Sequence, residues 1–377
     1  MHIAFHTPEY PHKSIKHSAG IGTSIKNLAQ ALCEEGHRVT LFVYGQKKDA
    51  VFTENGIHFH LIKQRNYSFG GFYFYRKHIA RYINRNSAGI DLLEAVDWTG
   101  MTAFCKFNMP HVIRLHGSDT YFCHLENRPQ KKKNYLFEKW ALQKAKAVSS
   151  VSAFTAQKTK ELFGLENEIT VIPNLIAVED FRPVHSKSES TYILNFGSVI
   201  RKKGVIALAK AFNLLAAQLP DVRLKYLGKD VKDVLTGKMT SVLIAQEIDT
   251  VYHHRVEFID QVAYEEVSNY INAAAVVCLP SYAEAFPMTW LEAMSMEKAL
   301  VTSDIGWAKE MMVHGETGFM VHPEDYHKMS IYLTDFLKNE PMRSNLGKSA
   351  RQRVLENFSI PIIVKQNIAY YKDLLRL

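Results

Sequence analysis

The chain is 377 residues long, 47% hydrophobic and 22% charged, with a formal net charge of +8. That composition points to a globular protein of two domains, excludes a disordered or fibrous chain, and offers no apolar run long enough to cross a membrane. The charge is one-sided: residues 1–183 hold 24 Lys and Arg against 16 Asp and Glu, while the remainder balances, so the first half is expected to meet something anionic.

Strands are predicted at 3–6, 37–43, 57–62, 92–95, 111–115, 147–151 and 169–172. A helix is predicted over 20–35, with Ile21, Ile25, Leu28, Ala29 and Leu32 on one face and Gly36 after its end. Residues 69–85 mix aromatics with cations, as does the stretch 128–133. The pattern in 69–85 predicts a helix that packs its aromatics on a sheet and turns its cations outward; the alternative is a helix lying in a membrane interface. Residues 184–190 are polar and patternless, a candidate linker. The alternation then restarts, with strands at 192–196, 222–227, 256–259, 275–279 and 299–302, helices over 205–219 and from 288, and a glycine hairpin at 315–319. The segment from 341 reads as helical, interrupted near 359–361. Such alternation predicts two doubly wound parallel sheets in tandem. Cys33, Cys105, Cys123 and Cys278 lack metal-ligand spacing and are expected as reduced core or near-core thiols. The chain opens on a strand without a basic leader, so a cytoplasmic protein is expected.

The densest chemistry lies at 280–294. Pro280 and Ser281 stop an apolar strand and a helix pattern begins at Met288, so Glu284 comes from a loop and Glu292 from a helix. Open parallel sheets bind ligands at this end of a strand. The helix N-terminus, with the N–H groups of Met288 and Thr289, suits a phosphate. Carboxylates beside it suit sugar and ribose hydroxyls. Arg201, Lys202 and Lys203 follow the first strand of the second half, just before a helix. Cations there oppose the helix dipole, so the run asks for an anion such as a pyrophosphate. Gly20 and Gly22 open the first helix without the third glycine of a dinucleotide fingerprint. His116 ends strand 111–115, either as a satisfied buried histidine or as a functional one. No Asp-x-Asp pair, P-loop or nucleophile elbow is present, and no motif supports nucleic-acid binding.

In this order, these motifs resemble those of retaining GT-B glycosyltransferases of family 4. Glu284, Phe286 and Glu292-Ala293-Met294 are similar to the family's Glu, seven residues, Glu donor signature. Lys203-Gly204 matches the end of its diphosphate motif, Gly-Arg-Leu-x3-Lys-Gly; the family's arginine falls on Ser198, with Arg201 the candidate replacement. Pro287 and Trp307 stand where the family carries glycine. The resemblance implies a GT-B fold. Residues 1–183 would form a Rossmann-like acceptor domain and 184–355 a Rossmann-like donor domain, with a cleft between them that closes to exclude water. Helix 356–377 would cross back to the first domain. The resemblance also implies catalytic roles for His116 and Glu284. Its donor site would comprise Gly20, Gly22, Gly197, Ser198, Arg201, Lys203, Glu284, Ala285, Phe286, Met288, Thr289 and Glu292. Glu284 would hold the donor sugar and Glu292 the ribose. The implied reaction is metal-independent, cofactor-free retaining transfer of a hexose-type sugar from a nucleotide sugar, UDP favoured, to a glycan, glycolipid or polysaccharide-precursor hydroxyl. The implied partners are the nucleotide sugar, a glycan or lipid-linked acceptor and, through the basic first domain, the inner face of an anionic membrane; nucleic acid is not expected. The alternatives are a glycosyl phosphorylase, a sugar-nucleotide epimerase, or a non-catalytic assembly subunit.

Overall fold

A computed structural model describes residues 1–16, 18–184 and 192–376; apart from Val184, the expected linker lies outside the described residues. The chain forms two units, Met1–Ile176 with Ile360–Leu377, and Ala177–Ser359. The first boundary falls earlier than 183/184. Leu175 and Ile176 are buried, and Asn27 and Ser24 of the first helix bind the Leu175 carbonyl and the Asn174 side chain at 3.1 and 2.7 Å. Phe181, by contrast, packs edge-on against Tyr264. The return to the first unit falls at 360 rather than 356, because Phe358 packs edge-on against Phe286 of the second unit.

In the first unit β1 (His2–Thr7), α1 (Gly20–Glu34), β2 (Arg38–Gln46), β3 (Ala50–Glu54), β4 (Ile57–Lys63), α2 (Gly71–Arg85), β5 (Leu92–Val96), β6 (His111–Leu115), α3 (Asp119–Leu125), α4 (Lys132–Lys144), β7 (Ala147–Ser150), α5 (Ala153–Phe163) and β8 (Thr170–Val171) follow in order. The sheet order is β3-β4-β2-β1-β5-β6-β7-β8, so the winding reverses between β1 and β5. Strands such as β5, buried along its whole length, are the apolar runs that a sheet covered on both faces requires. β3 was not among the expected strands. It pairs antiparallel with β4 across Asn55-Gly56, both at positive φ (50° and 76°), the two-residue turn that this dipeptide favours. Helix α2 corrects another expectation. Tyr75, Ile79 and Ile83 form its buried stripe at helical spacing, leaving Phe72, Tyr73 and Phe74 of its first turn exposed. Arg76, expected outward, is buried, and its guanidinium donates to the carbonyls of Phe72, Thr99 and Gly100 at 2.9, 2.6 and 3.0 Å.

In the second unit β9 (Tyr192–Phe196), α6 (Val205–Ala216), β10 (Arg223–Leu227), α7 (Thr240–Glu247), β11 (Val256–Ile259), α8 (Val267–Ala273), β12 (Val276–Leu279), α9 (Met288–Ser295), β13 (Leu300–Thr302), α10 (Ala308–Met311), β14 (Phe319–Met320), α11 (Tyr326–Lys338) and α12 (Glu340–Asn357) form a second doubly wound unit. Its sheet is parallel throughout the described strands, in the order β11-β10-β9-β12-β13-β14. The glycine hairpin expected at 315–319 is instead a turn closed by the Gly315 N–H on the Gly318 carbonyl at 2.8 Å, and β14 then runs parallel to β13. The winding reverses between β9 and β12. Their ladder pairs Ile193 with Val276 and Leu194 with Val277. Beyond it the Asn195 side chain donates to the Cys278 carbonyl at 2.8 Å. A side chain thus replaces the ladder where the loops after β9 and β12 leave the sheet, the place where this topology opens a crevice.

The last helix, α13 (Ile360–Leu375), belongs to the first unit. Buried Arg114 of β6 pairs with Glu94 of β5 through two bonds of 2.7 and 3.1 Å, and the Tyr371 hydroxyl of α13 donates to the same carboxylate at 2.8 Å. Removing one partner of such a fully bonded pair would strand a buried charge.

Candidate active site

Three loops of the second unit meet at the carboxyl edge of its sheet, and glycines make the meeting possible. A β-carbon on Gly204 would lie 1.9 Å from the Pro280 carbonyl oxygen, and one on Gly228 would lie 2.1 Å from that of Gly197. Gly197 itself, at φ +107°, abuts the Thr289 methyl. The Tyr282 N–H donates to the Lys202 carbonyl at 2.7 Å. The loops after β9, β10 and β12 are thereby fixed on one another with little room to shift.

On this base the structure brings Lys203, Glu284 and Glu292 together. The Lys203 ammonium forms an ion pair with Glu284 Oε1. Glu292 is buried on α9 and accepts the Tyr264 hydroxyl at 2.8 Å. Burial pushes the Glu292 carboxyl up to about 7, against the opposing pull of the Tyr264 hydroxyl and the Lys203 charge. Ala285, Phe286 and Met288 are buried, Thr289 is half-buried and Ser198 is exposed. The N-cap residue of α9, Pro287, supplies no side-chain cap, and the first N–H groups of a helix suit an anion. Pro287 sits at the N-cap with extended backbone, rather than inside the first turn.

Arg201, foreseen beside the diphosphate, has a partner of its own in this structure. Its guanidinium is held by Asp233 in a two-pronged pair of 2.7 and 3.1 Å, and Asp233 also accepts the Thr236 backbone and hydroxyl. Arg201 thus braces the loop after β10, and Lys203 faces the carboxylates.

The first unit presents a separate set. His116 ends β6, buried, with Nε2 unpartnered among the described residues. Burial and the Arg114 charge hold its imidazole down at about 3, so it is neutral at physiological pH. Its backbone N–H and that of Gly117 donate to the two oxygens of Asp97 at 3.0 and 3.1 Å. Burial raises Asp97 to about 7. His6, at the end of β1, is buried against Tyr44 with both ring nitrogens unpartnered among the described residues. The Gly20 and Gly22 turn differs from expectation. The Glu9 carboxylate accepts the Gly22 N–H at 2.7 Å, so the anion at the start of α1 is the chain's own. Gly22 is still needed there, because a β-carbon would come within 3.0 Å of the Tyr10 Cα.

Asp97, Asp233, Tyr264 and Glu9 were missed in the sequence. Each acts on a partner 13 to 32 residues away and carries no local signal. His6 had one available, its place at the carboxyl end of a predicted strand. Among the described residues no group of three or more His, Cys, Asp or Glu could hold a metal ion.

The comparisons fit this geometry. Residues 178–353 match the family described as Glycosyl transferases group 1, and residues 18–180 match Glycosyltransferase Family 4. The capsular polysaccharide biosynthesis glycosyltransferase CapM of Staphylococcus aureus is 27% identical over 64% of this chain and 65% of its own length. The N-acetyl-alpha-D-glucosaminyl L-malate synthase of Bacillus anthracis is 25% identical over 97% of this chain and 96% of its own. Among solved structures, sucrose-phosphate synthase from Thermosynechococcus elongatus superposes with a TM-score of 0.81 at 20% identity, covering 100% of this chain and 99% of its own. Anabaena HepE in complex with UDP-glucose superposes at 0.75 and 18% identity, covering 98% of each chain. With both halves matched and a parallel-sheet unit in each, the chain belongs to the group 1, family 4 glycosyltransferases of the GT-B fold.

Proposed function

We propose that the chain moves a hexose-type sugar, with retention of configuration, from a UDP-sugar to a hydroxyl of a glycan, glycolipid or polysaccharide precursor at the inner face of a membrane. The observation that carries this reading is the convergence of Lys203, Glu284 and Glu292 beside the N-terminus of α9. HepE, solved with UDP-glucose, supports UDP as the nucleotide, and CapM, named for capsular polysaccharide biosynthesis, supports the acceptor class.

In this reading Lys203 turns from Glu284 to the diphosphate and, with the N–H groups of Met288 and Thr289, offsets the charge that builds on the leaving group. That is the task a metal ion performs in other transferases, so none is called for. Glu292 accepts the ribose hydroxyls and Glu284 those of the transferred sugar. No side-chain nucleophile is required. The bond from the anomeric carbon to the phosphate oxygen breaks, the acceptor oxygen bonds to the same face, and the departing phosphate takes the acceptor's proton. His116 offers its neutral imidazole as a hydrogen-bonding dipole, not as a base.

The test is Glu284→Gln, with turnover of UDP-sugars and UDP affinity measured side by side. Turnover is expected to fall by about a hundredfold, the order seen when one transition-state contact is lost, with UDP affinity held. Unchanged turnover would refute the role of Glu284, and a product of inverted anomeric configuration by NMR would refute retention.

A further inference from the structure

The aromatics of α2 that do not reach the sheet form a surface of their own. Phe69 is 85% exposed, Phe72 54%, Phe74 46% and Trp140 43%. Phe72, Phe74 and Trp140 belong to one set of rings, which Phe69 precedes in the chain, and Phe74 lies 5.5 Å from Tyr73 between ring centroids. Phe104 lies 5.6 Å from Tyr73, 4.7 Å from Trp140 and 5.4 Å from Phe137, and Phe137 lies 6.3 Å from Phe72, all between ring centroids. The start of α2 and the outer face of α4 therefore share one aromatic face. A continuous exposed patch of this kind marks an interaction site, whereas single exposed apolar residues do not.

The charge around the face decides the partner. Residues 63–85 hold six Lys and Arg, of which Arg76 is buried, and no Asp or Glu; residues 131–144 hold five Lys and one acid, Glu138, which is buried. Lys131, Lys132 and Lys133 are exposed. The Lys133 ammonium stands 3.6 Å over the Phe72 ring and that of Lys77 5.5 Å over Tyr73. Lysine is depleted at protein–protein interfaces. At the surface of an anionic bilayer both features are at home: aromatic rings settle at headgroup level and ammonium groups meet lipid phosphates.

We infer that this face docks the first unit on an anionic lipid bilayer, with Phe69, Phe72, Phe74 and Trp140 entering the interface and Lys131, Lys132 and Lys133 on the headgroups. The inference deepens the lipid-linked acceptor reading, on which its purpose rests, but docking is measured without turnover.

The full chain is to be sedimented with vesicles of phosphatidylcholine alone and of equal parts phosphatidylcholine and phosphatidylglycerol. Sedimentation is expected with the anionic vesicles only. The variant K131Q/K132Q/K133Q is expected to lower that partitioning by about a hundredfold, at roughly fivefold per cation, and F69S/F74S is expected to abolish it at elevated salt. Both variants change exposed side chains and are expected to keep wild-type UDP affinity, so a failed donor site and a failed docking face give different results. Equal sedimentation with both vesicle types, or a lysine variant that partitions like wild type, would overturn the inference. A dimer in analytical ultracentrifugation that F69S/F74S dissociates would assign the face to a second copy of the chain and also overturn it.

Discussion

Replacing Glu292 with Gln should stabilise the free protein and weaken its nucleotide binding at once. Burial holds this carboxyl at about 7 in the folded chain, against 4.5 for the ordinary group. Between those values the folded chain keeps a proton that the unfolded chain has lost. The stability this contributes is complete below about pH 4.5 and is lost as pH rises through about 7. The gap converts to roughly 3 kcal/mol at 1.36 kcal/mol per unit. Glutamine is neutral at every pH and its carbonyl can still accept the Tyr264 hydroxyl. The stability advantage of the variant should therefore be near zero at about pH 4.5 and reach roughly 3 kcal/mol by about pH 8. Urea unfolding of both proteins across this range, with UDP titrated calorimetrically at the upper end, measures both effects. There the variant should bind UDP about tenfold more weakly, the cost of one charge-assisted hydrogen bond. Stability curves that stay parallel from acid to base would refute the argument, because they would mean that Glu292 holds its proton equally in the folded and unfolded chains.

Other substitutions separate the residues around it. Lys203→Ala should weaken UDP binding about ten- to a hundredfold by removing a charged donor, whereas Arg201→Ala should leave UDP affinity within about twofold and lower stability by about 1–2 kcal/mol through loss of its bonds to Asp233; the reverse order in calorimetry would return Arg201 to the phosphate. Gly204→Ala should cost more than about 3 kcal/mol or prevent folding, since its φ is +71° and its β-carbon would meet the Pro280 carbonyl; a melting temperature within a few degrees of wild type would contradict the interlocked loops. Changing His116 to Gln should lower kcat without altering the shape of the pH–rate profile, because burial keeps the imidazole neutral down to about 3; loss of a limb between pH 5 and 8 would show that His116 titrates in the working range.

The periodicity of the sequence carried most of the fold. The run 275–279 recurs as β12 because a strand buried on both faces leaves an unbroken apolar signal. β3 was missed, although the Asn55-Gly56 turn signals it, because Val51, Thr53 and Glu54 beside that turn are polar or exposed. The candidate site was legible where chemistry follows from local order: Glu284 in a loop and Glu292 on the following helix stand near Lys203, because the loops that carry them leave the neighbouring strands β9 and β12 at the same sheet edge. It was not legible where a distant residue claims a side chain. Asp233 takes Arg201 and Glu9 takes the Gly22 N–H, and neither choice leaves a mark in the neighbouring sequence. The aromatics of α2 were misjudged because their composition suits a core equally well, and only the buried stripe of Tyr75, Ile79 and Ile83 decides which of them face the sheet.

The proposed nucleotide-sugar site rests on Lys203, Glu284 and Glu292. Thermal unfolding of wild type and Glu292→Ala in matched concentrations of UDP, GDP, ADP and TDP tests it most directly. UDP alone should raise the wild-type melting temperature, and the variant should lose this rise. An equal rise in wild type and variant, or none with any of the four nucleotides, would contradict it.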